Sequence, residues 1–299
     1  VLTITNGTLD LNGNTLTLGA NFTQSAGTLI IGSGTFNGGS AYNVTINTGA
    51  TVNQTTGTLN CNNFTQTGGS FLVTSGNINI TNDFTLSGAY TFNANTSTIS
   101  VSGNVSISGA TFNCGTGTIV MTGAANKTLS SNQNLYNLTI NSTATKTLST
   151  NITQSAGGVL TITNGTLDLN SFQFNSGADL NLSSGTGTLT IGGGTFNGTG
   201  YNISQSNGII NQTTGALNCN NFTQTGGTYN ITGNGTINIA NNFSQTGGTV
   251  SITASPTFNI TNDFSQTGGS FTANSSNINI GNDFTLSGAY TFNANTSTI

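Results

Sequence analysis

Any chemistry in this 299-residue chain has to come from six aspartates, three cysteines and two lysines, because His, Arg, Glu and Trp are absent. Without His there is no Ser–His or Cys–His pair and no imidazole acid–base catalysis. What remains is carboxylate chemistry. Asp10 and Asp168 are copies of one another, Asp179 stands apart, and Asp83, Asp263 and Asp283 each precede a phenylalanine. A glycosidase-type pair needs two carboxyl groups about 5–10 Å apart, and Asp263 with Asp283 is the pair whose spacing in the chain could supply it. The same Asp recurs wherever the motif recurs, however, and that marks a structural corner.

The other site types fail on pattern. No D-x-[DN]-x-[DN]-G calcium loop and no G-G-x-G-x-D repeat occurs, and Gly192-Gly193-Gly194 has no following Lys and helix to make a phosphate loop. Cys61, Cys114 and Cys219 lack metal-ligand spacing; Cys61 and Cys219 sit in matching L-N-C-N-N-F segments and read as small buried filler, with an interchain disulfide as the alternative. We therefore expect no catalytic, cofactor-binding or metal residue and no enzyme. Sequons are abundant, among them Asn6, Asn21, Asn43, Asn53, Asn63, Asn79, Asn104 and Asn137. They make N-glycosylation an open option in a host that has the machinery.

Composition limits partners in the same way. Only 3 % of residues are charged and the net charge is -4, so the basic footprint of a nucleic-acid binder is missing. No run approaches the ~18 apolar residues of a membrane span, and no polybasic cluster suggests anionic lipid. The chain is also unlike a disordered one, because it has a single proline and its apolar residues are periodic and largely β-branched or aromatic.

The elements that would position these residues form a repeat. Asn63-Phe64, Asp83-Phe84, Asn221-Phe222, Asn242-Phe243, Asp263-Phe264 and Asp283-Phe284 mark a unit of about 20–21 residues; Asn21-Phe22, Asn43-Val44 and Asn104-Val105 extend it. A larger repeat overlies the small one. Residues 1–12 recur unchanged at 159–170, and residues 77–99 recur at 277–299 with Thr81 against Gly281. We read one continuous solenoid over 1–299, with superrepeats at 1–158 and 159–299 and about two extra units near 228–269. The anchor spacing is irregular at 106–150 and 173–202.

Within one unit, residues 63–83, three short runs alternate apolar and polar residues, which is the period of strands. They are separated by Gly68-Gly69, Ser75-Gly76 and Asn82-Asp83, residues suited to turns and positive φ. Three strands and three corners make one coil of a parallel β-helix, with about 14 coils in all. Stacking gives one ladder of Phe64, Phe84, Phe222, Phe243, Phe264 and Phe284. A second holds Phe71, Tyr229, Val250 and Phe271, and a third Ile80, Ile239, Ile260 and Ile280. The corner ladder Asn63, Asp83, Asn221, Asn242, Asp263 and Asp283 is expected to use the left-handed tolerance of Asn and amide stacking between coils. Gln24, Gln66, Gln154, Gln224, Gln245 and Gln266 should stack too, partly buried, since Leu86 and Leu286 take that place elsewhere. Outward, Asn79, Asn238, Asn259 and Asn279 repeat at one coil position, whereas Thr-x-Thr pairs such as Thr15/Thr17 and Thr188/Thr190 do not.

Coils of this length resemble filamentous-haemagglutinin-type secreted β-solenoids. The stretch GTGTIVMTGAANKTLSSNQNLYNLTI at 115–140 resembles repeats of very large microbial cell-surface proteins. The resemblance implies a right-handed β-helix, secretion to the cell surface, and a role in adhesion or surface structure. The reading is a non-enzymatic extracellular structural protein, a rod in a surface filament, matrix fibre or adhesin stalk, with itself as partner. A glycan- or ice-binding adhesin module is the first alternative, and a carbohydrate-active β-helix enzyme the second. The sequence begins at Val1 without Met and stops inside a segment whose copy continues past Ile99, as expected of a piece of a longer or processed protein.

With so few charges, neither protonation nor screening has much to act on. The melting temperature should be nearly flat from about pH 3 to 9 and from low to molar NaCl; a sharp fall across either range in thermal melts would contradict this.

Overall fold

A computed structural model of the chain describes residues 1–109, 111–183 and 185–299. Among these residues there are strands, turns and bends and no helix. The strands pair in parallel, in register, at one-coil offsets, and the fold is an all-β parallel β-solenoid. By packing, the chain divides into two compact units, Val1–Ala144 and Thr145–Ile299.

Both units are built from coils with three faces. In the first unit, one coil runs Phe22–Gln24, Gly27–Gly32 and Thr35–Asn37. Each strand pairs with the equivalent strand of the next coil, so Phe22 sits beside Val44, Leu29 beside Val52 and Phe36 beside Leu59. In some coils the first two strands merge into one bent strand, as in Phe64–Val73 and Phe84–Asn93, so these coils have two strands where the period suggests three. The bend falls at glycine. Gly69 has φ +67, and a Cβ there would lie 2.4 Å from the Ala50 carbonyl oxygen. Gly227 fills the equivalent corner of the second unit with φ +70 and the Asn207 carbonyl oxygen 2.5 Å away. These corners need both left-handed backbone and the absence of a side chain.

The irregular stretches keep strand register and change length at the corners. Val105 pairs with Leu129, Phe174 with Phe196 and Leu180 with Ile203. These offsets are 24 (129 − 105), 22 (196 − 174) and 23 (203 − 180).

The core is a set of columns. Phe64 stacks on Phe84 with ring centroids 5.5 Å apart. In the second unit Phe222, Phe243, Phe264 and Phe284 are consecutive rungs, with centroids 5.5, 5.0 and 5.0 Å apart. Tyr229, Val250 and Phe271 form a second column, and Ile239, Ile260 and Ile280 a third; in the first unit Phe71 lies between Val52 and Phe92, and Ile80 between Cys61 and Val101.

Two expectations are corrected. Gln24, Gln66, Gln224, Gln245 and Gln266 are fully buried, not partly. The Gln24 amide donates to the Gly27 and Thr51 carbonyls at 2.9 and 3.0 Å, and the Gln245 amide to Gln224 Oε1 at 2.9 Å and the Ser270 carbonyl at 3.0 Å. The side chain supplies donors to corner carbonyls facing inward, which is what makes its burial tolerable. The corner Asn/Asp residues do not use left-handed backbone. Among the described residues the non-glycine positive-φ positions are Asn12, Asn95, Asn170, Asn274 and Asn295. The anchor residue leads straight into an extended strand and needs no reversal of φ, whereas Asn95 and Asn274 turn the corner before the third strand.

Phe243 contacts rings on both neighbouring coils as well as Phe258 and Phe271. Phe243→Ala should destabilise by about 3–5 kcal/mol. Hydrogen exchange should show lost protection confined to the adjacent coils; uniform loss throughout the unit would contradict the column description.

Candidate functional site

Four of the six aspartates, Asp83, Asp179, Asp263 and Asp283, stand at corners, while Asp10 and Asp168 end strands; the reason for the corner placement is a hydrogen bond. At most anchors the side-chain Oδ1 accepts the backbone N–H of the anchor one coil on. Asn43 Oδ1 accepts from Asn63 at 3.2 Å, Asn63 from Asp83 at 3.1 Å and Asp83 from Asn104 at 2.7 Å. In the second unit Asn221 accepts from Asn242 and Asn242 from Asp263, both at 3.1 Å, and Asp263 from Asp283 at 3.2 Å. Only an acceptor is required, so Asn and Asp are interchangeable there. Asn63 also donates Nδ2 to Asn43 Oδ1 at 2.9 Å, and Asn221 to Asn202 Oδ1 at 2.8 Å. Asp263 and Asp283 are thus brought together as successive corner rungs, with an oxygen of the first bonded to backbone. Among the described residues no group of three or more His, Cys, Asp or Glu could hold a metal ion. No described helix is long and apolar enough to cross a membrane.

The outward face of the third strand carries a different asparagine column. Asn79 donates Nδ2 to Asn60 Oδ1 at 2.9 Å, and Asn60 to Asn37 Oδ1 at 3.3 Å, before Ser100 takes the next rung. In the second unit the column is longer: Asn175, Asn197, Asn218, Asn238, Asn259 and Asn279 follow one another in register. The bonds from Asn238 to Asn218, Asn259 to Asn238 and Asn279 to Asn259 are each 2.8 Å. Sequence reading found Asn79, Asn238, Asn259 and Asn279 but missed the earlier members. Their signal was available as the shared T-F-N of Thr35–Asn37 and Thr195–Gly198.

A threonine column was missed as well. Thr3, Thr23, Thr45, Thr65 and Thr85 are in register on the outer side of the first strand. Steps of 20 and 22 residues hid it. In the three-residue first face of each coil, whether a separate strand or the start of Phe64–Val73 and Phe84–Asn93, only the middle residue turns outward, so the column is single-file. Thr188/Thr190 pairs with Ile209/Asn211 on the next coil and makes no array.

Cys61 and Cys219 are free and buried, and Cys114 is half-buried. Burial raises the Cys61 thiol far above its ordinary range and lifts Cys219 from 9.0 to about 12. The Tyr229 hydroxyl, donated to Gln212 Oε1, is also raised, chiefly by burial and further by Cys219. Such thiols are poor nucleophiles and behave as the small filler expected of them. Of the sequon asparagines, Asn63, Asn79 and Asn137 already donate Nδ2 to a neighbouring coil, while Asn6 is exposed in a turn.

No family model, curated protein or solved structure matches the chain.

Cys219 and Tyr229 are neutral in the fold, and their folded pKa values lie above the unfolded ones. The stability they contribute is complete below the unfolded values and is lost as pH rises through the folded ones. Thermal melts should therefore fall only on the alkaline side, between about pH 9 and 12, and Cys219→Ala should shrink that fall. A melting temperature unchanged up to pH 12 would contradict the burial of these groups.

Proposed function

We propose that this chain is a non-enzymatic, extracellular structural protein, a β-solenoid segment of a surface filament, matrix fibre or adhesin stalk. The observation that carries the reading is the one-residue-per-coil registry of core, corner and outward columns within each unit, in a chain almost without charge. Such registry spends the sequence on extension and surface regularity. Four of the six aspartates, Asp83, Asp179, Asp263 and Asp283, fall on repeated corners, which argues against the carbohydrate-active enzyme. The resemblance of the repeats to filamentous-haemagglutinin-type solenoids supports secretion and a surface role.

Electron microscopy of the native material tests the reading. Filaments whose power spectrum shows a spacing of about 4.8 Å along the axis are the expected result. Discrete capped particles, or strands running parallel to the fibre axis, would overturn it.

A further inference from the structure

We propose that a trough on the outer face of the second unit binds an extended, uncharged, β-linked polysaccharide lying along the stacking direction. The trough follows the outward asparagine column. One depression is lined by Thr199, Asn218, Asn238, Ala240, Asn259 and Thr261. It is continued by a second that shares Asn259 and Thr261 and adds Asn279 and Gly281. Its floor is Ala240, Thr261 and Gly281, one small exposed residue per coil, placed where the chain leaves the third strand. The residue after each floor position begins another amide ladder: Asn241 donates to Asn220, and Asn262 donates to Asn241 at 3.2 Å.

The chemistry of these walls selects the ligand class. A carboxamide offers two N–H donors and an oxygen with two lone pairs. The ladder bonds of 2.8 Å between Asn218, Asn238, Asn259 and Asn279 use one donor and one lone pair of each interior rung. One N–H and one lone pair per rung are left for a partner, and that is the mixed donor–acceptor demand of sugar hydroxyls. The lining carries no charged side chain, so it gives an anionic chain no counter-charge and a neutral chain no desolvated ion. The rungs repeat every ~4.8 Å, and an extended β-linked pyranose chain advances by about one ring per rung. The shallow floor, with the Ala240 and Thr261 methyl groups, can receive ring C–H faces. The amides are already held by one another, so binding costs little side-chain ordering.

The test is titration of the full chain with cellohexaose, N-acetylchitohexaose and β-1,4-mannohexaose, followed by calorimetry or amide chemical shifts, with hexagalacturonate as the charged control. Saturable binding of at least one neutral hexasaccharide is expected. Affinity should rise with oligomer length up to about four sugars, one for each of Asn218, Asn238, Asn259 and Asn279. Asn238→Leu with Asn259→Leu should keep the β-sheet circular dichroism and weaken binding about tenfold or more, while Asn79→Leu in the first unit should leave binding unchanged. The proposal is overturned if none of the three hexasaccharides binds, if affinity is independent of length, if hexagalacturonate binds as well as they do, or if Asn238→Leu with Asn259→Leu leaves binding intact. Ice-crystal shaping without glycan binding would overturn it too and would assign the face to ice.

Discussion

Each coil can satisfy its backbone only with the coil before it and the coil after it. A three-residue strand such as Phe22–Gln24 has no partner within its own coil; its hydrogen bonds run to Leu2–Ile4 on one side and to Val44–Ile46 on the other. Register between coils is therefore the constraint on which the rest depends. A slip of one residue would turn Phe64 outward and Thr65 inward, and the error would pass to every coil stacked on it. Insertions are accepted only where no ladder runs, which is why the 24-residue step from Val105 to Leu129 is absorbed between strands.

Registry also explains the composition. Whatever occupies a position meets a copy of itself about 4.8 Å away, so a charged residue repeated in every coil would repel along the whole column. Amides and hydroxyls pair with their own kind. Glutamine does so inside, where Gln245 bonds to Gln224, and asparagine outside, where Asn259 bonds to Asn238. Phenylalanine does the apolar equivalent, with Phe222 and Phe243 stacked at an interplanar angle of 16°. The chain is polar and nearly uncharged because neutral hydrogen-bonding groups are the polar side chains that tolerate self-stacking.

The core columns were legible in the sequence because one large aromatic residue per coil leaves an unmistakable period, as at Phe222, Phe243 and Phe264. The strands and the parallel stacking followed from that period and from the glycine-marked corners. Asparagine was harder to read, because it does three jobs here. It is a side-chain acceptor at Asn63, a donor and acceptor at Asn238, and a left-handed turn residue at Asn95. Residue type alone does not separate these. The burial of Gln66 was equally opaque, since its acceptance inside depends on the inward carbonyls of Gly68 and Thr91, which only the folded corner presents. The outward Thr3–Thr85 column was blurred by coils of unequal length, and the trough beside Asn238 and Asn259 depends on small residues at a corner whose geometry the repeat does not reveal.

The two asparagine columns age differently. Asparagine slowly loses its side-chain nitrogen as ammonia and becomes aspartate, and a long-lived protein without turnover accumulates that change. At the corner the conversion deletes the Nδ2 bond that residues such as Asn63 and Asn221 add, but the bond from a backbone N–H to Oδ1, as from Asp83 to Asn63, survives it. Asp83 and Asp263 already show the corner working in that form. On the outward column the bond is donated by Nδ2, as from Asn238 to Asn218, and the conversion deletes the donor and sets a carboxylate against a carbonyl oxygen. Weathering would therefore roughen and charge the face of the solenoid one rung at a time while its corners stayed fastened.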